Sequence, residues 1–128
     1  MIETGIKGTL TDTVTKEKTA AAVGSGVLEV YGTPVMIALI EKTACDSVAP
    51  YLEEGSGTVG TNLTINHVAA TPVGMQVTCE TELVEVDRRR LVFQVKVTDE
   101  AGLIGEGTHE RFIVNNEKFQ AKANSKKA

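Results

Sequence analysis

A chain of 128 residues with 41% hydrophobic and 23% charged side chains has the size and composition of one globular domain. Its net charge of -4 gives no broad attraction for nucleic acid, and an aromatic content of 4% without tryptophan gives no platform for stacking bases. The N-terminus lacks the apolar core of a secretion signal, and no stretch has the roughly 20 apolar residues that a membrane-spanning helix needs. We expect one cytoplasmic domain over residues 1–128, with no nucleic-acid or membrane partner.

The first part of the chain alternates weakly between polar and apolar residues. Residues 6–15 are rich in threonine and predict a first strand. Residues 16–22 predict a connector or a short helical turn. A glycine–serine–glycine break follows, and residues 27–31 predict a short strand.

A helix is predicted next. Thr33 and Pro34 are typical of a helix start, with Thr33 as the N-cap and Pro34 at the first helical position. Residues 35–49 have the spacing of one helix of about four turns. Pro50 and the polar, glycine-rich run after it end the helix.

The second half predicts strands separated by short turns. The predicted strands cover residues 58–70, 75–86, 90–98 and 103–114. Turns of about three to five residues between consecutive strands indicate an antiparallel meander. The tail, about residues 117–128, is polar, lysine-rich and partly helical in pattern.

This order of elements predicts an α+β fold in which a curved antiparallel sheet wraps around one long central helix. A sheet with only one helix to cover it leaves an edge or a face open. We therefore expect the chain to form a homodimer, with a tetramer as the alternative.

One carboxylate interrupts the apolar side of the predicted helix. At about 100° per residue, the apolar stripe consists of Ile37, Ala38, Ala44, Cys45 and Val48. Glu41 lies in the middle of this stripe. A carboxylate that loses its hydration is either a functional group or a buried acid satisfied by its neighbours or by a subunit interface.

The strand predicted over residues 58–70 carries a histidine on its apolar side. Strict alternation places Val59, Leu63, Ile65 and His67 on one face. A lone inward histidine is more often a hydrogen-bonded core residue. An inward carboxylate together with an inward imidazole instead suggests catalysis, with Glu41 as base or nucleophile and His67 oriented beside it.

Three further features have two interpretations each. Thr33 is either a plain N-cap or a hydroxyl that binds substrate beside the helix N-terminus. His109 and Arg111 share one face of the last strand and are predicted to be structural or to lie at an interface. Cys45 and Cys79 are predicted to be reduced core residues, with a disulfide between them left open. Their spacing and the two separated histidines predict no metal site.

Five separated motifs resemble those of the fluoroacetyl-CoA thioesterase-like family of hotdog proteins. They keep their order and spacing from about residue 5 to about residue 120. The motifs are Gly32–Glu41 (GTPVMIALIE), Ala49–Glu53 (APYLE), Val59–Thr61 (VGT), His67–Pro72 (HVAATP) and Gly107–Arg111 (GTHER).

The resemblance implies that the chain hydrolyses an acyl-CoA to an acid and CoA, as a homodimer with sites near the subunit interface. The family's catalytic threonine, glutamate and histidine match Thr33, Glu41 and His67. The glycine whose backbone lies against the thioester carbonyl matches Gly60. No cofactor is implied, because coenzyme A is part of the substrate.

One departure concerns the acyl group. The fluoroacetyl-specific member has phenylalanines ahead of its catalytic threonine, whereas residues 22–30 here contain none. We therefore expect a short acyl group other than, or broader than, fluoroacetyl. The alternatives are a non-catalytic acyl-CoA binding or sensing module, a hotdog dehydratase or hydratase, and a purely structural dimer.

Overall fold

The computed structural model describes residues 2–127 and contains one antiparallel sheet. Its strands are β1 (Lys7–Thr13), β2 (Ser56–His67), β3 (Gln76–Asp87), β4 (Arg90–Asp99) and β5 (Leu103–Asn115). Their order across the sheet is β1-β3-β4-β5-β2. The four strands predicted in the second half are confirmed to within a few residues, but the predicted meander is wrong for β2. This strand pairs with β5 at an edge and not with β3, because the connection over residues 68–75 is longer than a hairpin turn.

The long helix packs against the sheet, and a further helix follows the last strand. They are α1 (Ala20–Val23), α2 (Thr33–Val48) and α3 (Asn116–Asn124), with single 3-10 turns at Lys16–Lys18, Ala49–Tyr51 and Ser125–Lys127. The long helix α2 packs against β1, β2 and β3. The prediction of an α+β fold with one central helix is confirmed, as is the partly helical tail. That residues 1–128 are a single domain stays a prediction.

The core lies between α2 and the apolar face of the sheet. Alternation along β3 and β4 turns one side chain in two toward the helix, as the strand period requires. The fully buried residues include Met36, Ile40, Ala44, Val48, Val77, Cys79, Leu83, Leu91, Phe93 and Val97. The opposite face of β3 and β4 is largely polar.

The strand predicted over residues 27–31 does not form. Only isolated bridges occur there, between Val30 and Pro72 and between Tyr31 and Thr19. Val27 is 89% exposed and Leu28 is 64% exposed, because no neighbouring strand runs beside this segment. Valine and leucine favour strands only where a partner strand is available.

The buried face of α2 is rotated about the helix axis relative to the predicted apolar stripe. Its buried residues are Met36, Leu39, Ile40, Thr43, Ala44 and Val48. Thr43, which is not part of the predicted stripe, is buried, and its hydroxyl is satisfied by donating to the Leu39 carbonyl at 2.7 Å. Glu41, with Ile37 and Cys45, lies at the margin of the core rather than in it.

A β-bulge changes which residues of β2 face the helix. Gly60 pairs with Arg111 and Asn62 pairs with Glu110, so Thr61 is an extra residue in the strand. Strict alternation is therefore broken, and Val59 does not share a face with His67 as predicted. Instead, Gly60 lies on the face of the sheet that is covered by α2.

Within residues 2–127, no helix has both the length and the apolar character needed to cross a membrane.

Candidate active site

Thr33 and His67 form the first of two polar clusters. The Thr33 hydroxyl lies 2.8 Å from Nδ1 of His67, at hydrogen-bond distance. The prediction that Thr33 is the N-cap of α2 is wrong. Gly32 is the N-cap, and Thr33 is the first helical residue. The Thr33 side chain is therefore available to the imidazole. We call these two residues the hydroxyl–imidazole cluster.

His67 ends β2 beside a shallow apolar recess. Its Nε2 atom is buried and has no hydrogen-bond partner among residues 2–127. An unsatisfied buried nitrogen is rare in native proteins, and a catalytic role is one explanation for it. Burial lowers the pKa of His67 below its ordinary value, because a charged imidazole would lose hydration. The recess, of about 300 Å³, is lined by residues that include Thr33, His67, Val30, Val68 and Ala69.

Glu41 lies in a second cluster, directly over the backbone of β2. A methyl group added at Gly60 would overlap Oε2 of Glu41 and would lie 3.3 Å from the His109 ring. The Glu41 carboxylate also lies 3.5 Å from Nη1 of Arg111. We call Glu41, Gly60, His109 and Arg111 the carboxylate cluster.

Arg111 is held rigidly within that cluster. Its Nε donates to the Thr58 hydroxyl at 2.8 Å and its Nη2 donates to the Thr58 carbonyl at 2.9 Å. Nη1 contacts Nε2 of His109 at 3.1 Å. The Arg111 side chain is only 7% exposed, so its positive charge needs a nearby counter-charge, and Glu41 provides one.

Alternation correctly predicted His109 and Arg111 on one face of the last strand, but it predicted neither that this face is the inner one nor their contact with Glu41. The signal was present in the pattern: a histidine and an arginine two residues apart in a strand whose other face is polar. The pattern did not predict the β-bulge in β2, which places Gly60 next to the Glu41 carboxylate.

The two clusters do not meet within one chain. No hydrogen bond or ion pair joins Glu41 to Thr33 or His67 in the part of the chain that the structure describes. Thr33 and Glu41 are eight residues apart on α2, a rise of about 12 Å. Gly60 and His67 are about 20 Å apart along β2. The predicted proximity of Glu41 and His67 is therefore not found in the single chain.

Replacing Gly60 with alanine is expected to displace Glu41 while leaving the fold intact. The new methyl group meets the end of a flexible side chain, which can rotate away at little cost in stability. Any reaction in which Glu41 takes a proton should then slow at least about tenfold, because the displaced carboxylate is out of reach of that proton. Steady-state kinetics and thermal melting measure the two effects.

Gly57→Ala is the matched control for this substitution. It adds a methyl group in the same strand, but that group meets Oδ1 of Asn116 at 2.5 Å rather than Glu41. Equal turnover in the two variants would contradict a role for the space above Gly60.

A larger groove, of about 600 Å³, lies on the outer face of the sheet, on the side away from α2. It is lined largely by polar and charged residues, among them Lys7, Glu80, Lys96 and Glu106. None of the four predicted site residues lines it. The chemistry-bearing side chains therefore lie elsewhere, on the helix side of the sheet.

Comparison with known proteins places this geometry in a family. The model of the fluoroacetyl-CoA-specific thioesterase family matches residues 14–117. A fluoroacetyl-CoA thioesterase from Streptantibioticus cattleyicolor is 45% identical over 98 residues, which are 77% of this chain and 70% of that protein. The chain belongs to this family. The family resemblance stated from the motifs is thus confirmed.

Solved structures agree with this family assignment. The fluoroacetyl-CoA thioesterase FlK superposes with a TM-score of 0.94 at 37% identity, covering 98% of both chains. A variant of FlK solved with acetyl-CoA superposes equally well, at 36% identity over 99% of this chain and 100% of that one. A thioesterase superfamily member from Thermus thermophilus gives 0.90 at 28% identity, covering 99% and 94%. The family member described here is a thioesterase, and its fold is the predicted hotdog fold.

Proposed function

We propose that this thioesterase hydrolyses short-chain acyl-CoA esters to the carboxylic acid and CoA, with Glu41, His67 and Thr33 as its catalytic residues and Gly60 against the substrate. The observation that carries this proposal is the pair of clusters. A carboxylate oriented by a buried arginine and an imidazole hydrogen-bonded to a hydroxyl can together supply the base or nucleophile and the proton transfer that thioester hydrolysis uses.

The clusters would complete one site between two copies of the chain. β2 pairs on one side only within residues 2–127, and its outer edge is exposed over Gly60–Thr64. An unpaired edge of twelve residues is a template for another strand. Antiparallel pairing of two β2 strands about a two-fold axis near Leu63 and Thr64 would set Gly60 of one copy near His67 of the other.

In that arrangement the chemistry divides between the subunits. Glu41 would remove a proton from water that attacks the thioester carbonyl carbon, or would attack that carbon itself and be released by water. The carbon–sulfur bond then breaks, and His67 would carry the proton to the departing CoA thiolate. Thr33 holds the imidazole ring in place. The backbone of Gly60 would lie against the carbonyl oxygen.

The size of the recess beside His67 supports a short acyl group. Its volume is about 300 Å³ and its lining includes the small side chains of Ala20, Ala69 and Ala70. No phenylalanine occurs in residues 22–30, and the exposed Val27 and Leu28 stand in that segment instead. We therefore propose a broader preference than fluoroacetyl alone.

We propose that the protein acts in the cytoplasm as a homodimer, with water as its only co-substrate. Cys45 and Cys79 are both free thiols, as is usual in a reducing compartment. Burial raises the pKa of Cys79 to about 11, so this thiol is unreactive at neutral pH.

Thiol release from a panel of short acyl-CoA esters tests the proposal. Wild-type protein should release CoA thiol, and the rates should rank the acyl groups. Absence of release from every ester, by folded dimeric protein, would contradict hydrolysis. Tight binding of the same esters in that case would favour the alternative, a non-catalytic acyl-CoA binding or sensing module.

A further inference from the structure

His109 is fully buried and lies between two groups of fixed hydrogen-bonding character. Its Nδ1 is 2.8 Å from the Asn62 carbonyl oxygen, which can only accept. Its Nε2 is 3.1 Å from Nη1 of Arg111, which can only donate. Therefore Nδ1 must carry the proton and Nε2 must accept, so the partners specify one neutral tautomer.

The carboxylate cluster depends on this tautomer. Arg111 Nη1 lies between Nε2 of His109 at 3.1 Å and Oε2 of Glu41 at 3.5 Å. The two bonds to Thr58 engage Nε and Nη2, and the planar guanidinium then points Nη1 toward His109 and Glu41. By accepting at Nε2, His109 takes a hydrogen of Nη1 and holds the guanidinium from a further direction. The His109 ring is itself stacked on Phe93, with ring centroids 6.2 Å apart, so the imidazole has a rigid support.

We propose that His109 is a positioning residue for hydrolysis: as the Nδ1–H tautomer it orients the Arg111 guanidinium, which in turn holds the Glu41 carboxylate above Gly60. This inference rests on the proposed function of Glu41. His109 acts through Arg111 and does not touch the substrate.

Protonation of His109 would replace its hydrogen bond from Arg111 with a repulsive contact. An imidazolium has no acceptor at Nε2, and it would face the guanidinium of Arg111 with a like charge. Glu41 and Glu110 are the carboxylates near the ring, and the facing groups of β2 and β4 are the Asn62 carbonyl and the Phe93 ring. Burial lowers the pKa of His109, and Arg111 lowers it further, so the neutral form predominates at neutral pH.

Two substitutions separate positioning from packing. His109→Leu fills the space but offers no acceptor, whereas the amide of His109→Gln can donate to Asn62 and accept from Arg111. We expect kcat to fall at least about tenfold in the leucine variant with a small change in KM, and to be largely retained in the glutamine variant. The loss of turnover on acidification should also be shallower in the glutamine variant.

Imidazole 15N NMR provides a measurement that needs no turnover. The chain has two histidines, so the spectrum of His67→Ala reports His109 alone. Neutral Nδ1–H signals at pH 7 support the inference, and Nε2–H signals would overturn it. Equal kcat in the leucine variant and wild type, or equal losses in the leucine and glutamine variants at unchanged melting temperature, would also overturn it. The proposed function fails separately, if the wild-type protein releases no thiol.

Discussion

Turnover of short acyl-CoA esters is expected to fall at least about a hundredfold when Glu41 is replaced by glutamine, the usual scale for loss of a general base. The amide keeps the size of the side chain and can still accept from Arg111, but it can neither take a proton nor attack a carbonyl. Because Glu41 is the counter-charge of the buried Arg111, the melting temperature should fall, although the two bonds to Thr58 still hold the guanidinium and the fold is kept. Initial rates of thiol release and a thermal melt measure both quantities.

Asp46→Asn is the matched control. It removes the same charge from the same helix, at a residue that is 51% exposed and whose one ion pair among residues 2–127 is with Lys42 at 3.0 Å. This variant should keep wild-type turnover. If Glu41→Gln were as active as Asp46→Asn, Glu41 would be excluded as the base or nucleophile.

A heterodimer of two inactive chains is expected to regain activity. One chain carries Glu41→Gln and the other His67→Ala, so one of the two composite sites retains both groups. Co-expression with two different affinity tags allows the mixed dimer to be purified. Its turnover should be about half that of the wild type, since one site of two is intact.

The reciprocal heterodimer gives the opposite result. When wild-type chain is paired with a chain carrying both substitutions, each composite site loses one group, and turnover should be nearly abolished. Sites built within a single chain would give the reverse pattern, with an inactive first heterodimer and a half-active second one. The pair of measurements thus decides how Glu41 and His67 are shared.

Much of the fold could be predicted from periodicity. Alternation along residues 90–98 and the short turns predicted the hairpins β3–β4 and β4–β5, because strand period and turn chemistry are local properties. They wrongly extended the meander to β2, which pairs with β5 and not with β3. The same alternation placed His109 and Arg111 together on one face, which the structure shows to be the inner one. These predictions succeed where local pattern and tertiary packing agree.

The failures have physical causes that lie outside local pattern. Thr33 has the residue type of an N-cap, but whether Gly32 or Thr33 takes that position depends on the bond from Thr33 to His67, which is 34 residues away. Which side of α2 is buried depends on where the sheet lies against it. The helical period alone predicted the wrong side, the one that carries Glu41. The partner of Glu41 depends on the pairing of β2 with β5, which periodicity does not give.

The extra residue at Thr61 also bears on how the protein can vary. Thr61 is exposed, and its hydroxyl makes a 3.2 Å contact to the Glu110 carbonyl, so many side chains should be tolerated there. Deleting it would leave Gly60 opposite Arg111 and Asn62 opposite Glu110 in an unbroken ladder, so Gly60 and Thr58 would still face Glu41 and Arg111. Both substitution and deletion of residue 61 should therefore leave the carboxylate cluster on the face that α2 covers.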